Sequence, residues 1–153
     1  MTRPAVFFSP LFWLAFAGLS MACPDAEMAP MEAHAAKGRE LWNPARFAVQ
    51  AGGDYQLLDC ALIGWGHVRQ APDFVFDLTR MRRFRRLHLR SNAACDTVLL
   101  LRAPSGRWFF DDDSGVGQTA SLSLADPEDG AYAVWVGSFR PEGCDAVLTL
   151  ETF

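Results

Sequence analysis

Asp111-Asp112-Asp113-Ser114-Gly115 is the stretch whose side chains come nearest to a cation site. A hard ion such as calcium takes six to eight oxygens, more than adjacent carboxylates can aim at one point. In a strand-to-loop turn alternate residues share a face, so Asp111 and Asp113 could ligate together. Asp126, Glu128 or Asp129 from the next turn could add to them. The spacing is not that of an EF-hand. The plainer reading, an acidic turn whose carboxylates accept local backbone N–H groups, is preferred. If a metal binds, calcium at Asp111, Asp113, Asp126 and Asp129 is the cofactor expected.

Asp113-Ser114-Gly115 also matches three residues of the nucleophile loop of trypsin-like serine proteases. The match ends there. The glycine that should precede the aspartate is absent, and a chain this short cannot build the two barrels that hold such a triad and its oxyanion hole. His34 reads as a solvated linker histidine. His67 and His88 have no local partner, and neither is expected to meet a serine and an acid in a triad. No catalytic residues are assigned.

Arg80, Arg82, Arg83, Arg85, Arg86 and Arg90 make a local positive field on a chain of formal charge −4. Such a run fits an anionic surface, a glycan or a protein partner outside the cytoplasm. Nucleic acid is excluded by compartment and because no aromatic stacking platform accompanies the run. A merely solvated hairpin is the preferred reading. Among the tryptophans, Trp108 and Trp135 lie in apolar strands and read as core. Trp65, between two glycines and beside His67, is the one tryptophan kept as a ligand candidate.

The elements that must position these groups are strands. Arg46 to Gln50, Tyr55 to Asp59, Asp73 to Leu78, Leu87 to Leu89, Val98 to Leu101, Trp108 to Phe110, Ala120 to Leu124, Tyr132 to Phe139 and Ala146 to Glu151 alternate or run apolar between Gly, Pro and Asp turns. Ala61 to Val68 reads as a loop or short strand. With 153 residues, half of them hydrophobic and including twelve phenylalanines, one core can be buried. About eight antiparallel strands predict an all-β, jelly-roll-like sandwich over 42–153. Phe47, Phe74, Phe76, Leu87, Leu99, Leu101, Trp108, Val134, Val136 and Leu148 are its expected core.

Residues 1–22 read as an export signal: Arg3, an apolar stretch from Ala5 to Leu19, then Ser20-Met21-Ala22 before Cys23. The stretch is too short for a spanning helix, so no transmembrane anchor is expected in the mature chain. Lipidation of Cys23 is the alternative, weakened by Ser20 where lipoprotein signals usually carry leucine. Residues 23–41 read as an extended lead-in, with a turn or two of helix over Met31 to Lys37. Four cysteines in an exported chain imply two disulfides in one of three connectivities. Cys23–Cys60 and Cys95–Cys144 are favoured: the first staples the lead-in, and the second joins two similar strand starts, Cys95-Asp-Thr-Val-Leu and Cys144-Asp-Ala-Val-Leu.

Three stretches together, Cys95-Asp-Thr-Val-Leu-Leu-Leu101, Gly106-Arg-Trp-Phe-Phe-Asp-Asp-Asp-Ser114 and Gly130-Ala-Tyr-Ala-Val-Trp-Val-Gly-Ser-Phe139, resemble the bacterial pre-peptidase C-terminal domain group. Cys23-Pro-Asp25, Ala71-Pro-Asp-Phe74 and Leu150-Glu-Thr-Phe153 fit the same pattern. The resemblance implies a jelly-roll sandwich, an auxiliary role beside secreted peptidases and, in some members, calcium binding. No catalytic unit is attached here. The expected function is a non-catalytic, periplasmic or secreted module that binds or supports an extracytoplasmic partner. The alternative is a small secreted hydrolase or a peptidase-associated regulator.

Overall fold

The computed structural model describes residues 23–60 and 64–153. The export signal read over 1–22 lies outside the described residues, as do 61–63 of the Trp65 loop. The described chain is a two-sheet β-sandwich of strands β1 (Glu32–Lys37), β2 (Ala45–Ala51), β3 (Tyr55–Gln56), β4 (His67–Val68), β5 (Phe74–Thr79), β6 (Arg86–Ala93), β7 (Thr97–Arg102), β8 (Trp108–Asp111), β9 (Ser121–Ala125), β10 (Gly130–Ser138) and β11 (Cys144–Thr152). Short 3-10 turns follow β1 (Gly38–Trp42), β3 (Leu57–Asp59) and β5 (Met81–Arg83). Among the described residues no helix is long and apolar enough to cross a membrane.

The larger sheet is centred on β10, which pairs with β5 and β4 along one edge and with β7 along the other. β1 extends it beyond β5, β3 beyond β4, and β8 beyond β7. The smaller sheet runs β2-β11-β6-β9, antiparallel throughout. Between them lies the main core, with Phe74, Phe76, Leu87, Leu99, Leu101, Val134, Val136 and Leu148 buried and Phe47 packed against its margin. All of these are core positions anticipated from strand alternation.

Among the described residues eleven strands replace the roughly eight expected, and the lead-in accounts for part of the difference. Residues 32–37 form neither helix nor free extended chain. They are β1, which pairs with β5 in parallel from Glu32↔Phe74 to Lys37↔Thr79. Glu-Ala-His-Ala-Ala-Lys has few β-formers, so its period of two is faint, yet tertiary pairing overrides propensity. His34, read as a linker residue, is half-buried with its ring 4.6 Å from Phe47 and 5.6 Å from Phe76.

A second core lies on the other face of the larger sheet: Leu57, Val68, Val98, Leu100, Ala133 and Trp135, with Ala26, Trp108 and Phe110 packed around them. This explains why β7 reads Val-Leu-Leu-Leu without alternation, since a strand covered on both faces needs apolar residues at every position. Trp108 belongs to this second core, its ring 5.4 Å from that of Trp135. The cover is held by Cys23–Cys60, by Asp25 N–H donating to Gln70 O, and by Arg102 donating to Glu27. Cys95–Cys144 joins the starts of β7 and β11. Both disulfides are the pairings favoured on sequence.

Asp73 fastens β5 in place. Its Oδ2 accepts Val136 N–H at 2.8 Å and its Oδ1 accepts Arg69 Nε–H at 3.0 Å. Burial outweighs these contacts and pushes its carboxyl from 3.8 up to about 6. The proton is therefore held more tightly folded than unfolded. The associated stability is complete below about pH 4 and lost as pH rises through about 6, some ~3 kcal/mol in all. Urea unfolding across that range should show the decline, and Asp73→Asn should flatten it. An unchanged slope in the variant would assign the decline to other groups.

Candidate functional site

The carboxylates named as cation ligands divide between the two ends of the sandwich. Asp111 closes β8, and its carboxylate accepts the N–H and Oγ–H of Ser114 and, at 2.8 Å, the N–H of Ser121. It thus shapes the 112–120 loop and starts β9. Asp126 follows the far end of β9, five residues beyond Ser121, or about 17 Å at ~3.3 Å per residue. Asp129 Oδ1 accepts Met81 N–H at 2.7 Å, and Glu128 Oε1 accepts Ser105 N–H at 3.1 Å. Tyr132, its phenol pushed up to about 12 by burial, donates to Glu128 O and closes that turn. Asp111 and Asp113 therefore cannot share an ion with Asp126 and Asp129. Among the described residues no group of three or more His, Cys, Asp or Glu side chains is disposed to hold a metal.

Asp96, a residue that motif reasoning missed, belongs electrostatically with the Asp111–Asp113 loop. Burial raises its pKa first, and the charges of Asp113 and Asp112 raise it further. Its Oδ1 is buried without a hydrogen-bond partner among the described residues. Asp111→Ala would orphan the Ser114 and Ser121 amides and is expected to cost about 1–3 kcal/mol, with equal melting midpoints in calcium and in chelator. A calcium-dependent rise that Asp113→Asn removes would restore the cation to this loop.

The arginine run also divides. Arg90 turns onto the outer face of the smaller sheet and pairs with Glu151. Arg80, Arg82, Arg83, Arg85 and Arg86 are exposed at the end of β5, around the Met81–Arg83 turn and at the start of β6. Among the described residues none of these five forms an ion pair. Arg80 has φ 59°, the left-handed region, where a side chain costs about 1–2 kcal/mol. Asp129 holds that corner by accepting the next amide.

Beside this corner lies a cleft of about 600 Å³. Arg80, Arg83 and Phe84 form one wall; Lys37, Arg39, Glu40 and Trp42, from the turn after β1, form the other. Trp42 is 62 % exposed, against 55 % for Trp65. It meets Phe84 edge to face at 6.0 Å. Phe84 in turn packs onto Gly38, where an added Cβ would stand 2.4 Å from its ring, so any larger residue at 38 would displace the aromatic pair. An aromatic platform does accompany the basic run, contrary to the sequence reading. It is supplied by a distant segment that β1–β5 pairing brings alongside. Trp42 rather than Trp65 is the tryptophan the fold places among cations.

His88 is the second correction. Its Nε2 lies 2.7 Å from Ser121 Oγ, and its Nδ1 lies 3.2 Å from Glu151 Oε1. Three adjacent strands, β9, β6 and β11, supply the connectivity of a Ser-His-acid triad. Neither Ser121 nor Glu151 has a motif to announce it; only the cross-strand register joins them. The surroundings do not suit acyl transfer. Ser121 N–H, a natural oxyanion donor, is bound to the Asp111 carboxylate, which sets a negative charge beside the nucleophile. Glu151 is shared with Arg90. The group stands on the outer face of the sheet, opposite buried Leu87, Leu89 and Leu122.

No protein-family model matches the chain, and no curated protein matches it. Solved structures that match it in outline include the following two. One is PliG of Aeromonas hydrophila, a periplasmic inhibitor of g-type lysozyme, at 10 % identity and TM-score 0.46 over 80 % of this chain and 98 % of that one. The other is the pre-peptidase C-terminal domain of a Bacillus anthracis collagenase, at 12 % identity and TM-score 0.45 over 82 % and 99 %. The latter is a domain of the kind that the three central sequence stretches resemble.

Proposed function

We propose that this chain is an exported, non-catalytic sandwich module that holds an extracytoplasmic anionic partner at the end carrying Arg80 to Arg86. The gathering of unpaired guanidinium groups around the Trp42 cleft carries this reading. Charge runs that only solvate a face do not require a backbone held in the left-handed region at one of their members, nor a large exposed indole in their midst. Export is supported by the leader-like residues 1–22 and by two disulfides with no free cysteine among the described residues, a pattern that persists in oxidising compartments. The Cys23–Cys60 disulfide supports a secreted or periplasmic form over one lipid-anchored through Cys23. The protein carries a net −4, so retention on a sulfonate cation exchanger at neutral pH isolates the patch from the total charge. Wild type should be retained and Arg82→Gln/Arg85→Gln/Arg86→Gln should pass through. Equal elution of the two would remove the basic end from consideration.

The Ser121–His88–Glu151 connectivity favours a second reading, a small secreted hydrolase. A fluorophosphonate probe decides between them, because it labels only an activated serine. The module reading expects no labelling. Labelling that disappears in Ser121→Ala and in His88→Ala would make the protein an enzyme.

A further inference from the structure

We infer that the cleft between the Gly38–Trp42 turn and the Arg80–Phe84 corner is a subsite for an acidic glycan, with a sugar ring stacked on Trp42 and its carboxylate held by Arg80 and Arg83. The inference rests on the basic end being the module's binding surface, and it names what that surface takes.

Three observations select this ligand class. The volume, about 600 Å³, lies in the range of small-ligand sites and suits a short stretch of chain, whereas a bilayer presents no headgroup row narrow enough to enter between two walls. Trp42 is exposed but not loose: Gly38 seats Phe84, and Phe84 meets the indole edge to face. A fixed, solvent-facing indole loses little entropy on binding, and its electron-rich face attracts the C–H face of a pyranose. The cations complete the selection. Arg80 and Arg83 make no ion pair among the described residues, and a guanidinium fork matches a carboxylate through two parallel N–H bonds. Glu40, the carboxylate in the wall, is already engaged: it accepts Lys37 N–H at 2.8 Å and lies 3.9 Å from Lys37 Nζ. A neutral sugar would leave Arg80 and Arg83 without partners. An acidic peptide would satisfy them but has no ring to place on the indole unless its sequence supplies one. An oligonucleotide would satisfy both, and export separates it from this protein.

The test uses the mature protein and oligogalacturonate as the probe, followed by tryptophan fluorescence and calorimetry. The same oligomer as its methyl ester keeps every ring and removes the charge. Binding is expected for the acid and not for the ester, weakening as salt rises from about 50 to about 300 mM. Trp42→Ala, Arg83→Gln and Arg80→Gly should each weaken it by about tenfold or more. All three sites are exposed, and glycine takes the φ of Arg80 without strain, so the fold is retained. Equal binding of the ester, or full affinity in Trp42→Ala, overturns the proposal. So does tighter binding of a single-stranded oligonucleotide, an aspartate-rich peptide or anionic phosphatidylglycerol vesicles. Retention of wild type on the sulfonate matrix without galacturonate binding sinks the glycan alone; loss of that retention sinks the basic end with it.

Discussion

The carboxylate of Asp73 is the junction on which the sandwich depends. One of its oxygens takes the amide of Val136 on the central strand, and the other takes Arg69, whose guanidinium also donates to Gln50 O on the opposite sheet. The carbonyl of the same residue accepts the amide of Glu32 and so starts β1. A buried acid with both oxygens occupied contributes direction rather than much net energy, because desolvation offsets the contacts. What it settles is which segments lie next to β5. Since β1 follows β5 in parallel and ends at Lys37, that junction also determines that Trp42 comes to rest beside Arg80.

The sandwich itself was legible because strands with one wet face alternate. Phe74 and Phe76, Leu87 and Leu89, and Leu122 and Leu124 all point to the main core. The unalternating Val98 to Leu101 also announced burial on two sides, but not what covers the second side. That cover is the lead-in and the Leu57 turn, held by Cys23–Cys60, and neither carries a periodic signal of its own. β1 was illegible for a related reason. Glu-Ala-His-Ala-Ala-Lys leans toward helix by propensity, and only its pairing with β5 overrides that lean.

For the site, residue types were legible and groupings were not. The arginine run is plain in the sequence, yet its sixth member, Arg90, sits on a sheet face with Glu151, and its aromatic companion lies in the turn after β1. The aspartates were equally plain, and chain proximity misled: β9 carries Asp126 to the opposite end from Asp111. The contact of His88 with Ser121 and Glu151 depends on cross-strand register, which no local motif encodes.

β10 spans the sandwich from Gly130, beside the arginine corner, to Ser138, beside Asp96, about 26 Å at ~3.3 Å per residue. Arg80, Arg82, Arg83, Arg85 and Arg86 at one pole outnumber the Asp126, Glu128 and Asp129 carboxylates beside them, while Asp96, Asp111, Asp112 and Asp113 stand at the other, so charge is unevenly spread along the strand direction. A charge distribution of that kind takes a torque in an external field, which turns the arginine pole toward negative charge.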